Sequence, residues 1–302
     1  MQKVINNIVK KNEKIFGDNP KIDKVNVGFT NIIYIINDKY IVKICSDINN
    51  EEKFRKEINF YNSKKNNNLI PKLYLADIDK DVIPYMYEIL EKVEGVSLYN
   101  VWHLLNEMQR EEIIKQLCEA MKQFHSNIGE CYDWTEKNRK LFLDYYNKAK
   151  QLNLFNKEEQ NIINNAYSKF DKYLKSDKFV LIHNDLHFDN IIYNYGKIKL
   201  IDFERSIYAP KDFELGILYR MIRKPWKFAS EETEEYTKLS DYENIMAYIE
   251  KYYPELISID NLYKRLGIYD VIYYLKHYIH NPSITELKED ILKASKIVIS
   301  DE

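Results

Sequence analysis

Residues 179–204 read FVLIHNDLHFDNIIYNYGKIKLIDFE, and no other stretch constrains the fold as much. Its apolar runs are too short for core helices and are rich in β-branched residues, so they read as strands. A polar cluster interrupts them, with His183, Asp185, His187 and Asp189 at alternate positions. On one continuous strand alternate residues share a face, and all four could converge on a single metal. If the chain turns after Leu186, they separate and only some can act together. NYGK at 194–197 reads as a hairpin turn that would return Asp202, in LIDFE, to the side of Asn190.

The rest of the chain places this island in a mixed fold. At 302 residues it exceeds the usual single-domain size, which predicts one large domain with lobes or two packed domains. Residues 2–16 read as a short amphipathic helix through Val4, Ile8 and Phe16, stopped by GDNP. KVNVGFTNIIYIINDKYIVKIC is β-rich, with a turn at 37–39, and a helix follows over about 50–65 with Phe54, Ile58 and Tyr61 on one face. IPKLYLADIDKDVIPYMYEIL returns to strands. After Gly95 the texture turns helical: Ile113, Leu117, Met121 and Phe124 recur at helical spacing, residues 138–175 continue as helices, and helices resume from Asp212 to the end. The expected class is therefore α+β, with an amino-terminal antiparallel-sheet lobe over 1–93 and a larger helical lobe over 94–302.

Composition narrows the partners. A net charge of −2 with 45% apolar and 30% charged residues carries no nucleic-acid footprint and no signature of disorder. No run of about 18 apolar residues occurs, and the charge-broken amino terminus lacks the apolar core of a signal peptide. Cys45, Cys118 and Cys131 show no CxxC spacing, which argues against a disulfide framework and a zinc-cysteine site. These features predict a cytoplasmic globular protein without a nucleic-acid or membrane partner.

Phosphoryl transfer of the kinase type needs a carboxylate for the acceptor hydroxyl and side chains that hold metal on the nucleotide phosphates. His183, Asp185 and Asn190 match His-x-Asp-x-x-x-x-Asn, with the aspartate at the loop entrance and the asparagine at its exit. With Asp202 brought back by the hairpin, Asn190 and Asp202 offer oxygen ligands to Mg²⁺. Upstream, YIVKI puts Lys43 on a strand where its ammonium can meet phosphate charge, and Glu57 on the next helix is its expected partner, better placed than Glu51 or Glu52. Gly28 with Thr30 and Asn31 stands where a phosphate loop is expected, although one glycine is few. No GxxxxGK[ST] occurs, which argues against a Walker-type site.

HNDLHFDN and IDFE, with IVK, LEKVEG, FHS and DFELGIL in order along most of the chain, resemble the aminoglycoside phosphotransferase and choline kinase superfamily, a relative of the protein kinases. The resemblance implies a two-lobed protein-kinase-like fold and a phosphotransferase that uses ATP or GTP with Mg²⁺ on a small-molecule hydroxyl. It implies that Asp185 is the catalytic aspartate, Asn190 and Asp202 are metal ligands, and Lys43 is the phosphate lysine. Leu90, Glu91 and Val93 correspond to the hinge that reads the base, and Asp212 to the structural aspartate that braces the catalytic loop. The sequence departs from the pattern in its glycine-poor phosphate loop, in Asp189, and in Glu204 where protein kinases have glycine. An aminoglycoside acceptor, and with it antibiotic resistance, is the leading expectation, and a choline or ethanolamine-type kinase is the alternative. Two further readings stand beside these, a catalytically silent nucleotide-binding relative and a mononuclear metal hydrolase built on the 183–189 strand.

Several residues carry plainer expectations. His183 is expected to brace the loop, His187 and Asp189 to be structural, and His125 to end a helix. The acidic run at Glu231, Glu232, Glu234 and Glu235 is expected to be a solvated face, though it could attract a polycation. Tyr269, Tyr273, Tyr274 and Tyr278 are expected to pack at the edges of a helix, though tyrosines can also box a quaternary ammonium.

Overall fold

The computed structural model describes residues 1–25, 31–64, 67–229 and 233–300. Contacts group the chain into two units, Met1–Leu105 with Phe188–Ser206, and Asn106–His187 with Ile207–Glu302.

In the first unit, a helix α1 (Gln2–Lys11) and a single turn α2 (Glu13–Phe16) precede strands β1 (Ile22–Val25), β2 (Ile32–Ile36) and β3 (Tyr40–Cys45). Helix α3 (Glu51–Ser63) is followed by β4 (Leu73–Asp77) and β5 (Met86–Glu91), and the five strands form an antiparallel sheet in the order β1-β2-β3-β5-β4. The expected turn at 37–39 closes β2 on β3: Asn37 and Asp38 both take φ 54°, and the Lys39 N–H donates to Ile36 O at 3.0 Å. Asn and Asp tolerate that left-handed geometry, which matches strand twist.

Strand alternation divides the side chains between two faces. Val42, Ile44, Tyr87 and Ile89 join Ile5, Ile8 and Phe16 in one apolar cluster, so α1 and α2 cover that face. Cys45 and Met86 meet Phe54 and Ile58 of α3 on the other. Lys43 and Glu88 belong to this second face and sit directly opposite each other in the β3–β5 register.

The same unit holds the hairpin of Ile191–Asn194 and Lys197–Leu200, turned through Tyr195 at φ 43° and Gly196 at φ 84° and extended by Val96–Ser97. Gly95 takes φ 124°, and a Cβ there would stand 2.3 Å from Tyr193 O, so only glycine lets the chain enter this sheet.

In the second unit, Phe179–Ile182 runs between Ile128–Gly129 and Ile207–Ala209 in a small antiparallel sheet. Helices make up the remainder. Glu107–His125 and Lys157–Tyr167 start at capping boxes, Asn106 with Gln109 and Asn156 with Glu159. The Trp134–Gln151 helix is capped by Asp133, which accepts from Glu136 N. Helices Leu262–Tyr278 and Thr285–Ile299 pack closely at Gly267, where a Cβ would meet Val298 Cγ2 at 3.1 Å. Among the described residues no helix is long and apolar enough to cross a membrane.

Candidate active site

The chain leaves its strand after Ile182 and turns, so residues 183–189 are not one continuous strand. Asn184 takes φ 62°, and the His187 N–H donates to Asp185 O at 3.0 Å. Asp185 is 9% exposed at this bend. The bend does not carry His187 away from it, as a turn after Leu186 was expected to do; it returns the imidazole to 4.0 Å from Asp185 Oδ2. On the far side of the turn, Asp189 accepts the Ser97 hydroxyl at 2.7 Å. Among the described residues the carboxylates that converge as metal ligands could are Glu57, Asp202 and Glu204, none of them from 183–189.

Two main-chain amides of the bend, His183 N and Asn184 N, donate to the two carboxylate oxygens of Glu214 at 2.8 and 3.0 Å. Glu214 is fully buried, with His125 Nε2 3.5 Å from it, and His125 Nδ1 meets the Tyr253 hydroxyl at 3.0 Å. Burial alone would raise the Glu214 carboxyl, but His125 and His183 outweigh burial and hold it below the usual carboxylate range. The carboxylate that reaches the loop amides is thus Glu214 and not Asp212, two residues earlier. Asp212 instead takes a bidentate pair from Arg265 at 2.8 and 2.9 Å and the Tyr269 hydroxyl at 2.8 Å. His125, expected only to end a helix, is a buried member of the Glu214 network. Glu214 stands in DFELGIL, and the signal for it was a lone acid inside an apolar run.

In the sheet unit, Lys43 lies at the centre of a carboxylate cluster. Its Nζ is 2.7 Å from Glu57 Oε2, 3.1 Å from Asp202 Oδ1 and 4.0 Å from Glu204 Oε2. Burial opposes the ammonium charge, yet Glu57 and then Asp202 outweigh it and raise the Lys43 pKa above its ordinary value. Glu57 reaches Lys43 because Phe54 and Ile58 anchor its helix to the same face of the sheet. Phe203 fixes the other partner: it is fully buried, stacked on Phe60 with centroids 4.0 Å apart and edge-on to Tyr61. Asp202 itself takes φ 63°, a left-handed position that aspartate tolerates.

The hairpin does return Asp202 to Asn190, since the Ile201 N–H donates to Asn190 O at 3.0 Å. One oxygen each from Glu57, Asp202 and Glu204 lie within 4.8 Å of one another. Lys43 donates to Glu57 Oε2 at 2.7 Å and to Asp202 Oδ1 at 3.1 Å, and Glu204 completes the set. Asn31 donates to Glu204 at 3.3 Å. An all-oxygen set of this kind suits a hard cation such as Mg²⁺. Gly28 and Thr30 lie outside the described residues, as do Glu231 and Glu232.

At the expected hinge, Leu90 is buried and Glu91 is tied down by its side chain, which meets Lys199 Nζ at 2.6 Å and accepts Lys72 N at 3.0 Å. Its own N–H donates to Lys72 O. Val93 is partly buried just beyond. The tyrosines of Leu262–Tyr278 form no cage: Tyr269, Tyr274 and Tyr278 are buried, and Tyr273 is covered by the Arg220 guanidinium 4.0 Å from its centroid.

Known proteins resemble this chain in sequence and in fold. Residues 21–248 match the family profile described as "Phosphotransferase enzyme family". A curated relative, "Protein LicA homolog" of Mycoplasma capricolum subsp. capricolum, is 29% identical over 197 residues, 65% of this chain and 71% of that one. Among solved structures, the streptomycin-ATP-APH(2'')-IIa ternary complex superposes with a TM-score of 0.68 at 16% identity over 98% of each chain. Choline kinase from Cryptosporidium parvum Iowa II does so with a TM-score of 0.61 at 15% identity, over 98% of this chain and 94% of that one. At such identities the likeness is one of fold, and that fold is the kinase-like α+β architecture.

Proposed function

We propose, from the premise that this chain belongs to the phosphotransferase enzyme family, that it moves the terminal phosphoryl group of ATP or GTP to a hydroxyl of a small molecule. The observation that carries the reading is the Lys43 ammonium, held by Glu57 on one side and Asp202 on the other. A buried lysine so restrained is a preorganised positive charge, ready to place nucleotide phosphates without reorganisation.

Asp185 orients the acceptor hydroxyl and takes its proton as the phosphoryl bond forms, and the Glu214 bonds to His183 and Asn184 hold the loop that aims it. Leu90, Glu91 and Val93 line the base, and Gly28 and Thr30 the phosphates. Asn190 and Asp202, joined by Glu204, hold Mg²⁺, which supplies charge neutralisation on the phosphates when bound.

The acceptor reading is an aminoglycoside-type compound. A second reading, an amino alcohol, is favoured by Glu204 in IDFE and by the choline kinase among the structural neighbours. The test is a panel of aminoglycosides and amino alcohols incubated with ATP or GTP and Mg²⁺, with nucleotide consumption followed and products weighed by mass spectrometry. One added phosphate on one class decides the acceptor. Nucleotide consumption on none of them, with tight nucleotide binding retained, would favour a silent binding protein.

A further inference from the structure

Glu88 has no place in the roles assigned above, and its surroundings are unusual for a carboxylate. It lies on β5, an interior strand of the sheet, with no exposed surface. Neither carboxyl oxygen has a hydrogen-bond partner, and the same holds for Glu57 Oε1. Buried polar groups are nearly always paired, and an unpaired buried carboxylate is among the costliest arrangements a core can hold.

The register makes the position specific. Glu88 faces Lys43 directly across the β3–β5 ladder, so their side chains emerge together on the face covered by α3. The β5 main chain is paired to β3 on one side and β4 on the other, so its own carbonyls are engaged. Lys43 is already shared among Glu57, Asp202 and Glu204. Glu57, whose charge bears on Glu88, keeps its second oxygen unpaired. Burial first and the Glu57 charge second push the Glu88 carboxyl well above the usual range, which favours the protonated form. A neutral carboxylic acid has one O–H to donate.

We propose that Glu88 is a positioning residue that works as a neutral acid, donating to Glu57 Oε1 directly or across one water and so holding Glu57 square to Lys43. Glu57 is then fixed through both oxygens, one to Lys43 and one to Glu88. Its carboxylate cannot swing away from the ammonium when nucleotide phosphates arrive and compete for it. The inference rests on the reading of Lys43 as the phosphate-holding lysine.

The test sets Glu88→Gln, a neutral donor of the same shape, against Glu88→Met, an apolar chain of similar length. Mg-ATP and Mg-GTP binding is measured by calorimetry without acceptor, with Lys43→Ala as the reference variant, and melting temperatures are recorded for all. Removing one partner of a buried hydrogen bond predicts that Glu88→Met binds nucleotide about 10-fold more weakly, and Glu88→Gln recovers most of that loss. Glu88→Met also strands Glu57 Oε1, so its melting temperature should fall, whereas Glu88→Gln, which keeps a donor, should stay near the wild type. A residue that merely filled the core would tolerate Glu88→Met, a chain of similar volume, as well as Glu88→Gln. Infrared spectroscopy adds an independent reading: a protonated carboxylic acid band present in the wild type should vanish in Glu88→Gln, and this decides the matter even if Glu88→Met does not fold. The proposal is overturned if that band is absent from the wild type, if Glu88→Met binds as tightly as the wild type, or if Glu88→Gln falls as far as Glu88→Met. Failure of the underlying reading has its own signature: Lys43→Ala would bind nucleotide like the wild type while the infrared band persists, and the positioning role would fall with it.

Discussion

Replacing Glu214 should separate the brace of the catalytic loop from its chemistry. In the wild type the carboxylate accepts His183 N at 2.8 Å and Asn184 N at 3.0 Å and is fully buried. Glu214→Ala strands both amides where water does not reach, at about 1–3 kcal/mol each, so about 2–6 kcal/mol in all. That is a large share of the roughly 5–15 kcal/mol by which a domain is stable. Glu214→Gln keeps one oxygen for one amide but presents its own NH₂ to the other, so about 1–3 kcal/mol is expected. Urea denaturation should show the midpoint falling at constant slope, more for Ala than for Gln. Turnover should fall with it, because Asp185 follows directly on the two braced residues.

The pH dependence gives a second measure of the same group. Its folded pKa lies below the ordinary value of 4.5, so its stabilisation is complete above about pH 4.5 and is lost as pH falls through the folded pKa. The stability gap between wild type and Glu214→Gln should therefore be widest near neutrality and close below pH 4.5. A Glu214→Gln protein as stable and as active as the wild type at pH 7 would refute the brace.

Asp185→Asn should cost on the order of 10²–10⁴ in kcat with nucleotide binding kept, as for a positioned base, whereas Asp189→Asn, which loses only charge on a bond to Ser97, should keep most turnover. Steady-state kinetics on the pair decides this, and equal losses would return the metal-strand reading. Lys43→Ala should lower kcat/KM for nucleotide, checked with varied ATP and GTP on a protein whose circular dichroism is unchanged; wild-type values would remove Lys43 from the site. Asp202→Asn should raise the Mg²⁺ concentration for half-maximal activity, because an amide holds a hard cation less well than a carboxylate. An unchanged magnesium titration would show that Asp202 is not a ligand.

Local pattern alone settled much of this protein. The Asn37–Asp38 turn, the 194–197 hairpin and the amphipathic α3 were all legible, because turn chemistry and side-chain period are properties of a few neighbouring residues. So was the pairing of Lys43 with Glu57, preferred over Glu51 and Glu52 because the kinase pattern sets a strand lysine against a glutamate of the next helix. The tertiary structure decided which carboxylates share a centre. Asp212 and Glu214 stand two residues apart in one turn, and no local rule says that the first takes Arg265 while the second takes the loop amides. Only the packing of distant helices assigns them. The same holds for His187, whose return to 4.0 Å from Asp185 depends on how tightly the bend after Asn184 closes. Glu88 shows the limit most clearly: in MYEILE it is one acid in an apolar strand, and its position opposite Lys43 exists only once β5 has paired with β3 in a particular register. A strand's sequence specifies which residues share a face; what they face is set by long-range pairing.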